Sequence, residues 1–459
     1  MKIIFLLNEL SKKVPDKVYG CSYTLYPTPD LASLYNAAVL KKAGHDVSLA
    51  RIKKLSDPLP DADAYLINSV ILSHKSDLEI TNRLKERKVF FFGPYPTLFP
   101  EKYLARKNQY VLRGETEHYI AQAIGTPEKT LGVSYKKERS IHHNKTAGII
   151  TDLDSIPFPA RELDNGQYFN PKLHLKKFTN ILSSRGCANR CYFCVPNSIS
   201  WAREIEWKKT HQTKPPVTVR SAKNIISELK ALKTEGYEEF SFIDDQFVVG
   251  KERILEVLKG VRKLNFRFGL LARADRLHDK DIIKNLARAG CEYVDLGVES
   301  FNQSVLDDIQ KDIKVETVYE TIKWLSESKI DPKLNIMLGT SPKEDESIIK
   351  DTIKKALSSP ANYCMFSIAT PFPGTEFRKV AQKNNWIIKD NNTNPASVAQ
   401  ISYPHLSNKK LEQLNNYANR RFYLRFETLT RQIRKIHNLK TLRFSILTLI
   451  NYLRNFYER

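Results

Sequence analysis

Cysteine is scarce in this 459-residue chain, at six residues, and long apolar runs are missing from the parts that would carry a leader or a membrane span. The opening Met1 to Leu10 offers only Ile3 to Leu7 before Asn8 and Glu9, too short for a signal core, and reads as a buried first strand. Without an export signal, six cysteines fit reduced thiols or metal ligands better than a disulfide framework, and a cytoplasmic location is expected. Only 17 Gly and 22 Pro exclude collagen-like and low-complexity classes, and no repeat of fixed period is present. An apolar content of 41% excludes a disordered chain, and the length suggests two or three domains. Acidic residues are also in deficit, 51 against 73 Lys+Arg, for a net charge of +22. Such a surplus suits nucleic acid or anionic lipid, or is merely a solvated surface.

Residues 2 to about 124 alternate short apolar runs, near 2–7, 46–51, 63–70, 88–93 and 109–114, with amphipathic stretches. That pattern predicts a five-stranded, doubly wound parallel sheet. Ligands bind such sheets at the carboxyl ends of the strands, which here carry Asn8, Ser69 to Ser73, Gly93-Pro94-Tyr95-Pro96-Thr97 and Arg113-Gly114-Glu115. The glycines in these loops serve either a ligand or only a turn. Residues 131–176, with Ile156-Pro157-Phe158-Pro159-Ala160-Arg161, read as a linker after a first domain of residues 1–130. From 177 to 390 the alternation resumes six times, with strands near 178–184, 238–245, 267–275, 293–300, 333–340 and 364–370, predicting a partial (β/α)6 barrel. Residues 391–459 read as a basic helical region, with twelve Lys/Arg against three acidic residues from Asn408 onward. Its stretch Leu442 to Tyr457 suits either a peripheral membrane contact or a cap on the barrel.

After the first barrel strand stands Ser184-Arg185-Gly186-Cys187-Ala188-Asn189-Arg190-Cys191-Tyr192-Phe193-Cys194. Three thiols spaced by three and then two residues can hold three corners of an iron-sulfur cube and leave the fourth iron open to a cofactor. Structural zinc normally takes four ligands, and no second Cys-x-x-Cys is present. Zinc and unrelated buried thiols remain as alternatives. This loop, with an aromatic before its last Cys and six strand-helix units behind it, resembles the radical S-adenosylmethionine (SAM) superfamily. The resemblance implies a [4Fe-4S] cluster on Cys187, Cys191 and Cys194, and reductive cleavage of SAM to a 5′-deoxyadenosyl radical. It further implies SAM contacts at Phe193, Asp244, Asp245, Arg273, Glu299 and Ser300. The segment Leu338-Gly339-Thr340-Ser341-Pro342-Lys343-Glu344 departs from the family's common Gly-Leu-Pro-Gly-Glu pattern, and Pro371-Phe372-Pro373-Gly374-Thr375 is similar to the family's sixth-strand turn.

The first domain and the Ile-Pro-Phe-Pro-Ala-Arg connector resemble the cobalamin-binding subgroup of that superfamily. A Rossmann-like, cobalamin-binding-type domain is then implied, with the corrinoid near Ser69, Gly93, Pro94, Thr97, Gly114 and Glu115. No Asp-x-His-x-x-Gly supplies an axial histidine, so bound and absent cobalamin both stay open. The similarity looks nearest to members acting on hopanoid-like lipids or tetrapyrroles. It implies modification of an unactivated carbon of an apolar substrate, by cobalamin-dependent methylation or by ring or carbon-carbon bond formation, with electrons from a reductase such as flavodoxin or ferredoxin. A tRNA-modifying enzyme with a second cluster would need three more cysteines in the first domain, which has only Cys21, and a nucleic-acid partner is therefore not expected. A non-catalytic corrinoid- or lipid-binding protein would leave exposed thiols open to oxidation.

Overall fold

The computed structural model describes residues 1–10, 27–389, 397–426, 428, 430, 442 and 446. The first domain starts with β1 (Lys2–Asn8), β2 (Asp46–Ile52), β3 (Ala64–Asn68), β4 (Lys88–Phe92) and β5 (Gln109–Leu112), all parallel, in the order β2-β1-β3-β4-β5. Apolar residues run through both faces of these strands, because helices cover both. Ile3 and Phe5 pack with Leu34, Leu66 and Phe90 on one side, while Ile4 and Leu6 pack with Tyr65, Ile67 and Phe91 on the other. The order reverses between β1 and β3, and the crevice at their carboxyl ends is the ligand position of this architecture.

The segment read as the start of a linker contributes two further strands. β6 (Val133–Lys137) and β7 (Ser140–His143) form an antiparallel hairpin that extends the sheet beyond β5 to seven strands. Lys136, Lys137, His142 and His143 on this hairpin are wholly or partly exposed, so it lacks the apolar run that marks a buried strand.

The chain then enters β8 (Phe178–Ile181), the short antiparallel pair β9 (Ser184–Arg185) and β10 (Thr218–Val219), and β11 (Glu239–Phe242). β12 (Arg267–Arg273), β13 (Cys291–Glu299), β14 (Asp331–Leu338) and β15 (Cys364–Ile368) follow. Six of these make a parallel sheet in the order β15-β14-β13-β12-β11-β8, matching the six strands expected from the sequence. Its outer face packs on helices such as Ala222–Thr234 and Lys251–Leu264, whose Ile225, Leu229, Val257 and Val261 are fully buried. The inner face is open. Leu271 keeps 40% exposure in the middle of a central strand, and Asp295, Asn335, Met337, Met365 and Ser367 are partly exposed. Side chains fill the interior of a complete barrel, whereas the inner face of this partial one keeps these residues partly exposed.

Helix Asn408–Tyr423 lies against the last strand, where Asn415 Nδ2 donates to the Phe366 carbonyl (2.8 Å) and Tyr423 Oη to the Cys364 carbonyl (2.7 Å). It protects that edge of the sheet. The stretch 442–457 lies outside the described residues except for Leu442 and Ile446, and no helix among the described residues is long and apolar enough to cross a membrane.

Candidate functional site: a thiol loop facing a Rossmann crevice

Between β9 and helix Ser198–His211 the chain makes the cysteine loop, and its neighbours hold it at both ends. Asp245, just past β11, accepts from the Gly186 N–H (3.1 Å) before the first thiol and from the Asn197 N–H (2.8 Å) after the last. Gly186 makes the turn at φ +90°, a conformation costly to any residue with a Cβ. At mid-loop, Tyr192 donates its hydroxyl to the Thr340 carbonyl past β14, its N–H to Ile309, and accepts from Phe377 N–H at 3.0 Å. Phe193 packs against the barrel core.

Cys187, Cys191 and Cys194 are free and partly exposed. Arg273 Nη1 donates to Cys191 Sγ (3.4 Å) and Asn189 Nδ2 to Cys187 Sγ (3.3 Å). Burial pushes the Cys194 thiol up to about 12 and also raises Cys191, so an incoming metal has to displace their protons. Among the described residues no three His, Cys, Asp or Glu side chains converge on one metal ion. Three free thiols on one loop, spaced by three and then two residues, are nonetheless a donor set that fits a [4Fe-4S] cube with one open iron.

Arg273 also bonds Asp275 (2.9 Å) and the Lys311 carbonyl. Lys311 Nζ bonds Glu299 Oε1 at 2.8 Å, and both are almost fully buried. Glu299 ends β13 at φ +63°, a left-handed position for a bulky side chain that folds retain mainly at functional sites. Cys191, Arg273, Lys311 and Glu299 thus gather at one rim. Asp244 sits just behind it: Oδ1 accepts from Ser183 N (2.9 Å), Ser183 Oγ (2.9 Å) and Ser184 Oγ (2.6 Å), while buried Oδ2 has no hydrogen-bond partner among the described residues. Burial raises its carboxyl to about 6. That unmatched oxygen suits the ammonium of an amino acid moiety. Ser300 stands apart, bonded to Thr352 Oγ1 (3.2 Å) on helix Glu346–Leu357. Sequence reasoning missed Tyr192, although it lies inside the motif, and Lys311, which no spacing rule marks.

Across the interface stand the ends of the first sheet. Ser69 Oγ donates to Asp77 Oδ2 (2.5 Å) and contacts Tyr103 Oη (2.7 Å), while Asn8 Nδ2 donates to Asp77 Oδ1 (2.6 Å). Asn68 Nδ2 reaches Asp30 at 3.0 Å, and buried Asn68 Oδ1 has no hydrogen-bond partner among the described residues. Gly93, at φ +101°, starts the short helix Pro94–Leu98, and a Cβ there would lie 2.4 Å from Asn68 Oδ1 and 2.8 Å from the Ser69 carbonyl. Gly93 thus lets the turn after β4 pack directly on the end of β3, at the strand ends where this architecture binds ligands. Thr97 Oγ1 donates to the Gly93 carbonyl (2.7 Å) and accepts from the Gly114 N–H (3.1 Å). Lys209 Nζ, on the barrel side, donates to the Thr97 carbonyl at 3.0 Å. Glu115 turns away from the crevice toward Arg185, Arg203 and the Ile150 N–H.

The two sheets' carboxyl ends therefore meet across an interface with the thiol loop at its edge. Residues 181–356 match the radical SAM superfamily model. An uncharacterized methyltransferase of Pyrococcus horikoshii, PH0819, is 26% identical over 75% of this chain and 74% of its own length. The anaerobic magnesium-protoporphyrin IX monomethyl ester cyclase of Synechocystis is 25% identical over 84% of this chain and 79% of its own. Among solved structures, the cobalamin-dependent SAM radical enzyme OxsB, with aqua-cobalamin and SAM bound, superposes with a TM-score of 0.70 at 16% identity, over 99% of this chain and 71% of that one. Residues 181–356 therefore form a radical SAM domain, with a Rossmann-type sheet before the barrel, and the chain is an enzyme.

Proposed function

We propose that this enzyme modifies an unactivated carbon of an apolar, tetrapyrrole-like substrate by radical chemistry, with cobalamin in the first domain and methylation as the outcome. The observation that carries the reading is the three-thiol loop, with Arg273 on Cys191, whose flanks Arg185 and Lys209 bond the first sheet's carboxyl edge at Glu115 and Thr97. Cys187, Cys191 and Cys194 would hold a [4Fe-4S] cluster, which would supply reductive cleavage of SAM with one electron from a low-potential donor of the flavodoxin or ferredoxin class. For methylation, the methyl group would come from SAM by way of the corrinoid, and the hydrogen removed from the substrate carbon would leave in 5′-deoxyadenosine. Asp245 and Tyr192 fix the loop, Asp244 Oδ2 offers an acceptor for the methionine ammonium, and Arg273 and Lys311 bring cations to the rim. The Ser69, Gly93 and Thr97 edge of the first domain would hold the corrinoid.

Anaerobic reconstitution with iron, sulfide and hydroxocobalamin, followed by absorbance spectra and assay of 5′-deoxyadenosine with SAM, a low-potential reductant and magnesium-porphyrin substrates, tests the proposal. Cluster absorbance, retained corrinoid and a product heavier by one methylene unit are expected. 5′-Deoxyadenosine without corrinoid retention overturns the methylation reading in favour of ring or carbon-carbon bond formation, and no SAM cleavage overturns both.

A further inference from the structure

The two domains are joined by buried charges at the entrance to the cysteine loop. Arg185 stands two residues before Cys187, and its two terminal nitrogens go to two different carboxylates of the first domain: Nη1 to Glu115 Oε1 and Nη2 to Glu117 Oε1, each at 2.8 Å. The Arg185 carbonyl accepts from Arg203 Nη1 (3.0 Å), and Arg203 Nε lies 3.1 Å from Glu115 Oε2. All four side chains are at most 3% exposed. The side chain of residue 185 is thus fixed by a segment some 70 residues earlier that follows β5, and its carbonyl by Arg203, which itself pairs with Glu115 of that segment. Beyond it, Gly186 N–H is held by Asp245, so little slack remains before the first thiol. The same first-domain segment edges the crevice, through the hydrogen bond of Gly114 N–H to Thr97 Oγ1.

We infer that Glu115 and Glu117 are positioning residues for the cluster: the first domain sets where Cys187 stands, and the cluster site is assembled across the domain interface. This rests on the reading of Cys187, Cys191 and Cys194 as cluster ligands. Two charge-assisted hydrogen bonds to separate carboxylates restrict Arg185 more than a single contact would, and partners behind a metal ligand commonly govern retention of the metal. Glu117 touches neither the thiols nor the crevice groups, so its influence on a cluster has to pass through Arg185.

The test uses the full chain, reconstituted anaerobically with iron and sulfide, as wild type, E115Q, E117Q and E117D. Three quantities are read: the rate of iron loss to a chelator, the electron paramagnetic resonance spectrum of the dithionite-reduced cluster, and the thermal melt. E117Q leaves the buried Arg185 and Arg203 to share one carboxylate and is expected to melt lower yet remain folded, while losing iron roughly 10-fold faster with altered g-values. E117D, which keeps the charge, is expected to recover most of the wild-type spectrum. E115Q, with three contacts disturbed, should show a larger effect, and if it fails to fold E117Q decides. Wild-type iron retention and spectrum in folded E117Q overturn the inference. A wild type that takes up no cluster overturns the underlying ligand reading and this inference with it, so the two failures are told apart by the wild-type sample.

Discussion

The two facing rims hold their chemistry in different ways. At the barrel rim, three thiols lie within eight residues of one loop and the charged groups around them, Arg273, Lys311 and Glu299, are paired and nearly buried. At the first sheet's edge the groups are neutral or proton-bearing: Ser69, Asn68, a glycine that admits no side chain, and Asp77 with its carboxyl raised to about 7 by burial. One rim suits a cofactor bonded covalently to protein ligands, and the other suits a large ligand gripped by shape and hydrogen bonds. The first kind depends on a few irreplaceable atoms, and the second spreads its affinity over many.

Replacing Cys191 with Ala should therefore have the largest effect, abolishing 5′-deoxyadenosine formation while the circular-dichroism melt stays near wild type. Retained cleavage would remove the distinction altogether. Next, Lys311→Met leaves Glu299 buried without its cation and should cost about 3 kcal/mol of stability, read from denaturant melts; no change would mean that water reaches the pair. On the opposite rim, Gly93→Ala forces a Cβ against the Ser69 carbonyl in a left-handed conformation and should cost roughly 1–3 kcal/mol. It should weaken hydroxocobalamin retention yet spare iron loading, and parallel loss of both would erase the contrast between the rims. The smallest effect is expected from Asp77→Asn. Folded Asp77 keeps a proton that the unfolded chain releases near pH 4, so its contribution to stability is lost as pH rises through about 7. Between pH 6 and 8 that loss is about 1.4 kcal/mol, and the variant should flatten it in melts across that range.

Legibility followed locality. The six barrel strands and the first five strands announce themselves as apolar runs because helices cover them, and the cluster ligands announce themselves because all three sit in one octapeptide. The β6–β7 hairpin was hidden by the Lys and His residues on its open side. Glu115 read as part of the crevice loop from its place after β5, but its partner Arg185 is 70 residues away and only folding brings them together. Ser300 followed Glu299 in the motif, yet consecutive residues at a strand end point in different directions, and its hydroxyl faces a helix instead of the rim.

The hairpin also decides where this chain can be divided. A cut at residue 130 would strip β6 from β5 and leave the bare edge of Gln109–Leu112, together with the Arg113 groups that reach Ser134 (2.8 Å) and Asn144, open to pairing with another chain. A cut beyond Ala147 keeps that edge covered, with Lys- and His-bearing β7 outermost, so a soluble first half of this enzyme ends there or later.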